Sequence, residues 1–287
     1  MNEPNWCEQV LHFDCEGEPL FGVASLPLVP KSTGVVIVVG GPQYRAGSHR
    51  QFVLLARRLA AQGYPVFRFD YRGMGDSPGE LGLFESVEPD VGSAVDAFMK
   101  TVPAMRRVVL WGLCDGASAA LLYCQKSADA RIAGLFLMNP WIRTAASQAK
   151  TQVRHYYWDR LKQRQFWVKL FSGQVAASAL KGFMGSVRAA TQSASSAGAA
   201  SAAYTTRMAL GWQHFKGKGL LVLSDQDYTA REFEAYCVTD PVWTAALKSR
   251  PLARHALKQA DHTCSQPSAE QAMQQATLDF LNSLPAC

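Results

Sequence analysis

The sequence lacks the features of secreted, disulfide-stabilised and membrane-spanning proteins. Its seven cysteines are odd in number and scattered, and no Cys-x-x-Cys pair occurs, so neither a disulfide framework nor a zinc site is expected. The segment MNEPNWCEQV at the start contains no apolar run, which argues against a signal peptide. No stretch approaches ~18 consecutive apolar residues, so no transmembrane helix is expected. These absences predict a reduced, cytoplasmic protein.

Acidic residues are scarce in one part of the chain. Between residues 143 and 170, seven lysines and arginines accompany a single acid, Asp159, which gives this segment the net charge of +6 that the whole chain carries. Because the remainder is neutral and no nucleic-acid recognition motif appears, we expect no nucleic-acid partner. The charge predicts a local basic patch instead.

The glycine-rich stretch 70–80, DYRGMGDSPGE, lacks the spacing of a phosphate-binding loop. It fits neither G-x-x-x-x-G-K-[ST] nor G-x-G-x-x-G. We therefore interpret it as a rigid loop that follows a strand, and we expect no nucleotide, metal or other cofactor.

What the chain does contain is a series of apolar strand patterns that alternate with helical ones. After an antiparallel hairpin over 11–27, strands are predicted at 34–41, 65–70, 107–112, 132–140, 219–224 and 254–260. Helices are predicted at 49–63, 87–102, 115–126 and 268–284. This order predicts an α/β fold, with a mostly parallel central sheet and helices on both faces.

The alternation is interrupted over 141–210, which contains no convincing strand. We predict a helical cap here, inserted into a core of residues 1–140 and 211–287, above the carboxyl edge of the sheet where ligands bind in such folds. An aromatic, basic helix within the cap carries Trp158 and Trp167, which we predict to contact an acyl chain, an anionic headgroup or a membrane surface. Packing of these aromatic side chains against the core is the alternative.

Cys114 is the candidate nucleophile. It lies in the pattern Gly112-x-Cys114-x-Gly116, between a predicted strand and a predicted helix, which is the context of a nucleophile elbow. The glycines avoid clashes in a tight turn, and the N-terminus of a helix favours the thiolate form of cysteine. The alternative is a structural cysteine buried in the core.

A base and an acid are predicted from their order along the chain. Enzymes with this elbow present the nucleophile, the acid and the histidine in that sequence. His262 follows the last predicted strand and is therefore the candidate general base. Asp225 and Asp227 both follow the strand at 219–224. We favour Asp227 as the group that orients the imidazole, and the choice between the two acids stays open.

Backbone N–H groups are predicted to stabilise an oxyanion. One donor is the N–H of Asp115, which follows the nucleophile. The second comes from the loop after the strand at 34–41. Pro42 has no N–H, so Gln43 is the preferred donor, and Gly41 and Tyr44 are the next candidates. Gly41 and Tyr44 are also predicted to contact the substrate. An ordinary Gly-Pro turn is the alternative.

Five segments carry a resemblance to a known superfamily. In order and spacing the chain resembles the α/β-hydrolase superfamily, through the segments VVGGPQY, FDYRGMGDSPG, LWGLCDGASAA, SDQDYTAREF and ADHTCS. More closely, GGPQYRAGSHRQF, DYRGMGDS and DYTAREF look like the exosortase A system-associated hydrolase 1 family, a bacterial family found with exopolysaccharide and protein-sorting genes. The resemblance implies an α/β-hydrolase fold with Cys114 as nucleophile, Asp227 as acid and His262 as base. Most of the superfamily has serine at the elbow, so cysteine is a departure.

The expected activity is hydrolysis of a small-molecule ester or thioester, through a thioester formed at Cys114. The basic cap predicts an anionic or lipid-like substrate, and contact with a membrane surface through the same segment. Two alternatives remain open at this stage: an acyltransferase on the same fold, and a non-catalytic member that binds a ligand.

Overall fold

One eight-stranded sheet, flanked by helices, organises the described part of the chain. The structure is a computed structural model that describes residues 4–41, 44–142 and 204–285. The strands are β1 (Trp6–Cys15), β2 (Glu18–Pro27), β3 (Thr33–Val38), β4 (Val66–Phe69), β5 (Arg107–Leu113), β6 (Ile132–Met138), β7 (Lys218–Ser224) and β8 (Ala253–Leu257). The helices are α1 (Gln51–Ala61), α2 (Glu88–Thr101), α3 (Asp115–Lys126), α4 (204–214), α5 (Tyr228–Thr239), α6 (Pro241–Ser249) and α7 (Pro267–Asn282).

The sheet is mostly parallel, as the sequence predicts. Its strand order is β1-β2-β4-β3-β5-β6-β7-β8. The β2 strand pairs antiparallel with β1 and β4, and the pairs from β4-β3 to β7-β8 are parallel. Glu16 and Gly17 both have positive φ, at 54° and 88°, as a two-residue hairpin turn requires. The α/β-hydrolase fold class and the N-terminal hairpin are therefore confirmed.

An aromatic cluster fixes β5, the strand that leads to Cys114. The Trp111 ring stacks on Phe136 with centroids 5.4 Å apart and meets Phe52 edge-on at 5.7 Å. Its indole Nε1 donates to Thr277 Oγ1 at 3.1 Å, so this buried polar atom is satisfied. Strands of this kind are apolar along their whole length because helices cover both faces of the sheet.

The last strand is shorter than predicted. It ends at Leu257, because Gln259 has a φ of 53° and turns the chain. The N–H of Ala260 donates to Asp225 Oδ1 at 3.3 Å, and its carbonyl accepts from Gln226 N at 3.0 Å. These bonds replace strand pairing and join the loop after β8 to the loop after β7.

The predicted cap lies almost wholly outside the described residues. The chain divides into two compact units, one made of Met1–Ile142 with Thr206–Cys287 and the other of Arg143–Thr205. The residues that form the site described below belong to the first unit. Trp158 and Trp167 fall in the second, outside the described residues, so the cap and its substrate contacts stay predictions.

Candidate active site

Cys114 lies at the sharp turn between β5 and α3, at the carboxyl edge of the sheet. Its φ of 60° and ψ of −128° fall in a region that non-glycine residues rarely occupy. Its N–H donates to Met138 O at 2.9 Å, and its carbonyl accepts from Ala117 N and Trp141 N, each at 3.1 Å. The side chain is partly exposed. The turn therefore has the conformation of the predicted elbow.

Two glycines make this turn possible. A Cβ atom on Gly112 would lie 2.5 Å from Ala117 N, and one on Gly116 would lie 2.2 Å from Val38 O. Both distances are far shorter than a normal van der Waals contact. The start of α3 consequently packs directly against β3 and β5, and Cys114 is the residue left to project from the bend.

Asp227 contacts His262, and Asp225 does not. The Nδ1 atom of His262 lies 2.8 Å from Asp227 Oδ2. Asp227 is 6% exposed and caps α5, since its carboxylate accepts from Thr229 N at 3.0 Å and Ala230 N at 3.4 Å. Asp225 binds the loop after β8 instead. The geometry thus favours the aspartate that the sequence analysis preferred.

His262 joins the aspartate to the cysteine. Burial disfavours the charged imidazole, but hydrogen bonds with Asp227 and with Cys114 outweigh that effect and raise the pKa of His262 to about 10. A cationic imidazole between a carboxylate and a sulfur atom is therefore stabilised at neutral pH. We refer to the candidate catalytic residues Cys114, His262 and Asp227 together as the triad.

The loop that carries His262 is held by two contacts that the sequence analysis missed. Asn139, which follows β6, donates through Nδ2 to His262 O at 3.2 Å and to Ser224 Oγ at 3.0 Å. Its Oδ1 accepts from Ser224 N at 2.9 Å. His49 Nε2 lies 2.9 Å from Thr263 O. A buried asparagine directly after a strand was the signal available for the first of these.

The loop after β3 meets the start of α3 at the side chain of Asp115. A Cβ atom on Gly40 would lie 2.3 Å from Asp115 Oδ1, and one on Gly41 would lie 3.5 Å from Asp115 Oδ2, so the carboxylate lies against this loop. Burial raises the pKa of the Asp115 carboxyl group, and the nearby backbone N–H groups of Gly41, Asp115 and Gly116 oppose the shift. The Asp115 carboxylate therefore lies beside the predicted oxyanion region. Gln43 lies outside the described residues.

An ion-pair cluster anchors the other end of that loop. Tyr44 Oη donates to Asp76 Oδ2 at 2.9 Å, and Arg45 Nη2 lies 2.7 Å from the same carboxylate. Arg45 also pairs with the buried Asp70, which accepts from Arg45 N at 2.8 Å. Tyr44, predicted as a substrate contact, is thus bound to the loop after β4. The roles of Arg45 and Asp70 were not predicted.

Comparison with known families identifies the chain. Residues 30–206, more than half of its length, match the family described as Serine aminopeptidase, S33. The chain belongs to this family of α/β hydrolases. An S33 hydrolase is an enzyme, and the elbow of this one carries cysteine where the family name indicates serine. No curated protein matches the chain.

Solved structures of similar fold span almost the whole S33 hydrolase. The esterase Pf2001 from Pyrococcus furiosus is 16% identical, with a TM-score of 0.65 over 97% of this chain and 93% of that one. A complex of DcsB with its substrate analogue is 16% identical, with a TM-score of 0.65 over 98% and 100%. Est1E from Butyrivibrio proteoclasticus, with bound ferulic acid, is 16% identical, with a TM-score of 0.60 over 95% and 100%. These likenesses support the fold.

Three other cysteines of the S33 hydrolase lie in unreactive surroundings. Burial raises the pKa of the Cys124, Cys237 and Cys264 thiols to about 12 in each case. These groups stay protonated at neutral pH and are poor nucleophiles. Cys114 differs from them in being partly exposed and in interacting electrostatically with His262.

A cavity of about 1290 Å³ lies at the opposite edge of the sheet, among the starts of β5, β6, β7 and β8. Because Cys114 follows the far end of β5, the cavity is separated from the triad by roughly 20 Å, the length of that strand. Its basic lining residues are Arg107, Lys126, Lys216, Lys218, Arg250 and Arg254. It is not part of the candidate active site.

The described residues, 4–41, 44–142 and 204–285, contain neither a candidate metal site nor a candidate membrane span. Within these ranges, no group of three or more His, Cys, Asp or Glu side chains is arranged to hold a metal ion. Within the same ranges, no helix combines the length and apolar character needed to cross a membrane.

Proposed function

We propose that this S33 hydrolase cleaves small-molecule esters or thioesters through a covalent thioester at Cys114. The observation that carries the proposal is the triad itself. His262 Nδ1 lies 2.8 Å from Asp227 Oδ2, and the imidazole interacts electrostatically with Cys114, as expected for a general base and its orienting acid.

The first half of the reaction forms the acyl-enzyme. The Cys114 sulfur attacks the acyl carbonyl carbon, and His262 holds the proton that left the thiol. As the tetrahedral intermediate collapses, the bond to the leaving alcohol or thiol breaks, and His262 gives that proton to the leaving group. Asp227 keeps Nδ1 hydrogen-bonded, so that Nε2 is the nitrogen that exchanges protons with sulfur and substrate.

The second half restores the enzyme. His262 accepts a proton from a water molecule, whose oxygen attacks the thioester carbonyl. The carbon–sulfur bond then breaks, the carboxylic acid leaves, and the proton returns to Cys114. Backbone N–H groups around the elbow, with Gln43 as the preferred donor from the loop after β3, would stabilise the oxyanion in both halves.

Esters and thioesters are favoured over amides because an amine leaving group needs well-placed protonation, whereas an alcohol or thiol leaves more readily. The name of one structural relative, the Pyrococcus esterase, supports an ester substrate. Membership of the exosortase A-associated subfamily, a cytoplasmic location and an anionic or lipid-like substrate held by Trp158 and Trp167 are further parts of this proposal.

The first test removes the sulfur. We expect Cys114→Ala to abolish turnover of p-nitrophenyl acetate, because no other group described in the site is a comparable nucleophile. Cys7→Ala, which removes an exposed thiol on β1, is the matched control and should retain wild-type turnover. Iodoacetamide should block activity in proportion to the labelling of Cys114. Unchanged turnover in Cys114→Ala would exclude the proposed mechanism and favour a non-catalytic role for the cysteine.

A further inference from the structure

We propose that Asn139 is a positioning residue of the triad: its side-chain amide holds the loop of the general base against the loop of the acid, and so sets the approach of His262 to Asp227. The inference deepens the proposed function and rests on it, because it assigns a positioning role within the same site.

A closed ring of hydrogen bonds carries the proposal. The Oδ1 atom of Asn139 accepts from Ser224 N at 2.9 Å, and Ser224 O accepts from Asp227 N at 3.3 Å. Asp227 Oδ2 lies 2.8 Å from His262 Nδ1, and Asn139 Nδ2 donates to His262 O at 3.2 Å, which closes the ring. One amide is therefore bonded both to the turn that carries the acid and to the residue that carries the base.

The chemistry of an amide suits this position. Ser224 N can only donate and His262 O can only accept, so a side chain bonded to both needs an acceptor and a donor. The second hydrogen of Asn139 Nδ2 goes to Ser224 Oγ at 3.0 Å. Asn139 is fully buried, and its amide oxygen and both amide hydrogens are bonded. A carboxylate at this position would supply no donor.

The backbone conformation also fits asparagine. Asn139 directly follows β6, and its φ of 44° lies in the left-handed region, which asparagine adopts more readily than most residues. Its N–H donates to Val222 O in β7 at 3.0 Å. The amide thus starts from a main chain that is fixed to the neighbouring strand, which allows it to impose a definite position on His262.

Two other contacts hold the loop after β8 without involving the amide. His49 Nε2 lies 2.9 Å from Thr263 O, and Ala260 N donates to Asp225 Oδ1 at 3.3 Å. Removal of the amide should therefore leave this loop attached but free to shift by a fraction of an ångström. Small displacements of this kind are costly where a proton has to pass between aligned groups.

The test replaces Asn139 with glycine, which tolerates the positive φ and lacks the amide. We expect the burst rate with p-nitrophenyl acetate to fall about tenfold, because misplacing a catalytic group has an effect of this order. The burst amplitude, which counts folded active sites, should stay near that of wild type. Gln274→Ala in α7 is the matched control, since it removes another buried amide, one that accepts from Arg58 and donates to Glu270, and it should keep the wild-type burst rate.

A double-mutant cycle separates positioning from general destabilisation. In the Asp227→Asn background the imidazole has lost its working partner, so Asn139→Gly should lower the burst rate by only about twofold or less. A purely structural role would lower the rate by the same factor in both backgrounds. Equal factors, or an unchanged rate in Asn139→Gly alone, would overturn the positioning role.

Asn139→Asp is the second variant, and it serves if the glycine variant does not fold. Its carboxylate still accepts from Ser224 N but cannot donate to His262 O, so at a pH well above the usual pKa of aspartate its burst rate should fall by at least the same factor. A wild-type rate in Asn139→Asp would also overturn the proposal. If wild type itself shows no burst that iodoacetamide abolishes, the proposed function fails, whatever the Asn139 variants do.

Discussion

At the scale of single residues, Asp227 shows how one side chain serves two purposes. One carboxylate oxygen accepts from Thr229 N at the start of α5, and the other lies 2.8 Å from His262 Nδ1. The backbone bonds hold the carboxylate in place whether or not a substrate is bound, so the imidazole meets a fixed partner. Asp225, two positions earlier, is committed to Ala260 N and is unable to substitute for it.

Because Asp227 and Asp225 have different partners, neutralising each carboxylate should lower the acylation rate by a different amount. Asp227→Asn should lower the acylation rate by about a hundredfold or more, because an amide that donates to Nδ1 enforces the wrong imidazole tautomer. Asp225→Asn, the matched control, should remain near the wild-type rate. Burst kinetics with p-nitrophenyl acetate measure both. A larger loss in Asp225→Asn than in Asp227→Asn would reverse the assignment of the acid.

At the scale of elements, the strand-turn-helix unit of β5 and α3 was predictable because it depends on residue types. Few structures are compatible with an apolar run that is followed by a Gly-x-Cys-x-Gly pattern and a helix with small residues. The direction of the Asp115 side chain was not predictable, because it depends on the space that Gly40 leaves in another segment of the chain. The premature end of β8 likewise depends on a partner in the loop after β7.

The elbow gives a prediction of stability. Gly116→Ala should cost about 2 kcal/mol or more of unfolding free energy, because the new methyl group would overlap Val38 O. Gly92→Ala in α2 is the control: its methyl group would lie at an ordinary 3.6 Å from Tyr123, so the change should be neutral or stabilise by up to about 1 kcal/mol. Denaturant unfolding compares them. Equal stabilities would show that the elbow tolerates a side chain at position 116.

At the scale of the whole molecule, the parallel sheet assembles the triad from segments far apart in sequence. Cys114 follows β5, Asp227 follows β7 and His262 follows β8, and these strands share one carboxyl edge. Chain order alone predicted this meeting point. The cap was predicted as well, but its contacts depend on residues outside the described part of the chain. The ion pair of Arg45 with Asp70 was not predictable, because it left no pattern in the sequence.

The charge of His262 links this assembly to pH. Its pKa in the folded protein is about 10, above the ordinary value of 6.5, so the folded state binds the proton more tightly than the unfolded chain. The resulting stability is present in full below pH 6.5 and is lost as the pH rises toward 10. The difference in unfolding free energy between wild type and His262→Gln should therefore shrink over that interval. If this difference in unfolding free energy grew with pH, it would contradict the pairing of a charged His262 with Asp227.

The most direct measurement of the central claim is to map the covalent intermediate. Wild-type enzyme mixed with excess p-nitrophenyl acetate, quenched in acid during the burst and digested, should yield an acetylated peptide whose modified atom is the sulfur of Cys114. The same peptide from Cys114→Ala should be unmodified. Any acetylation of Cys7 should not increase in proportion to turnover. Turnover with no acyl group on Cys114, or with one on another residue that forms at the catalytic rate, would contradict the account.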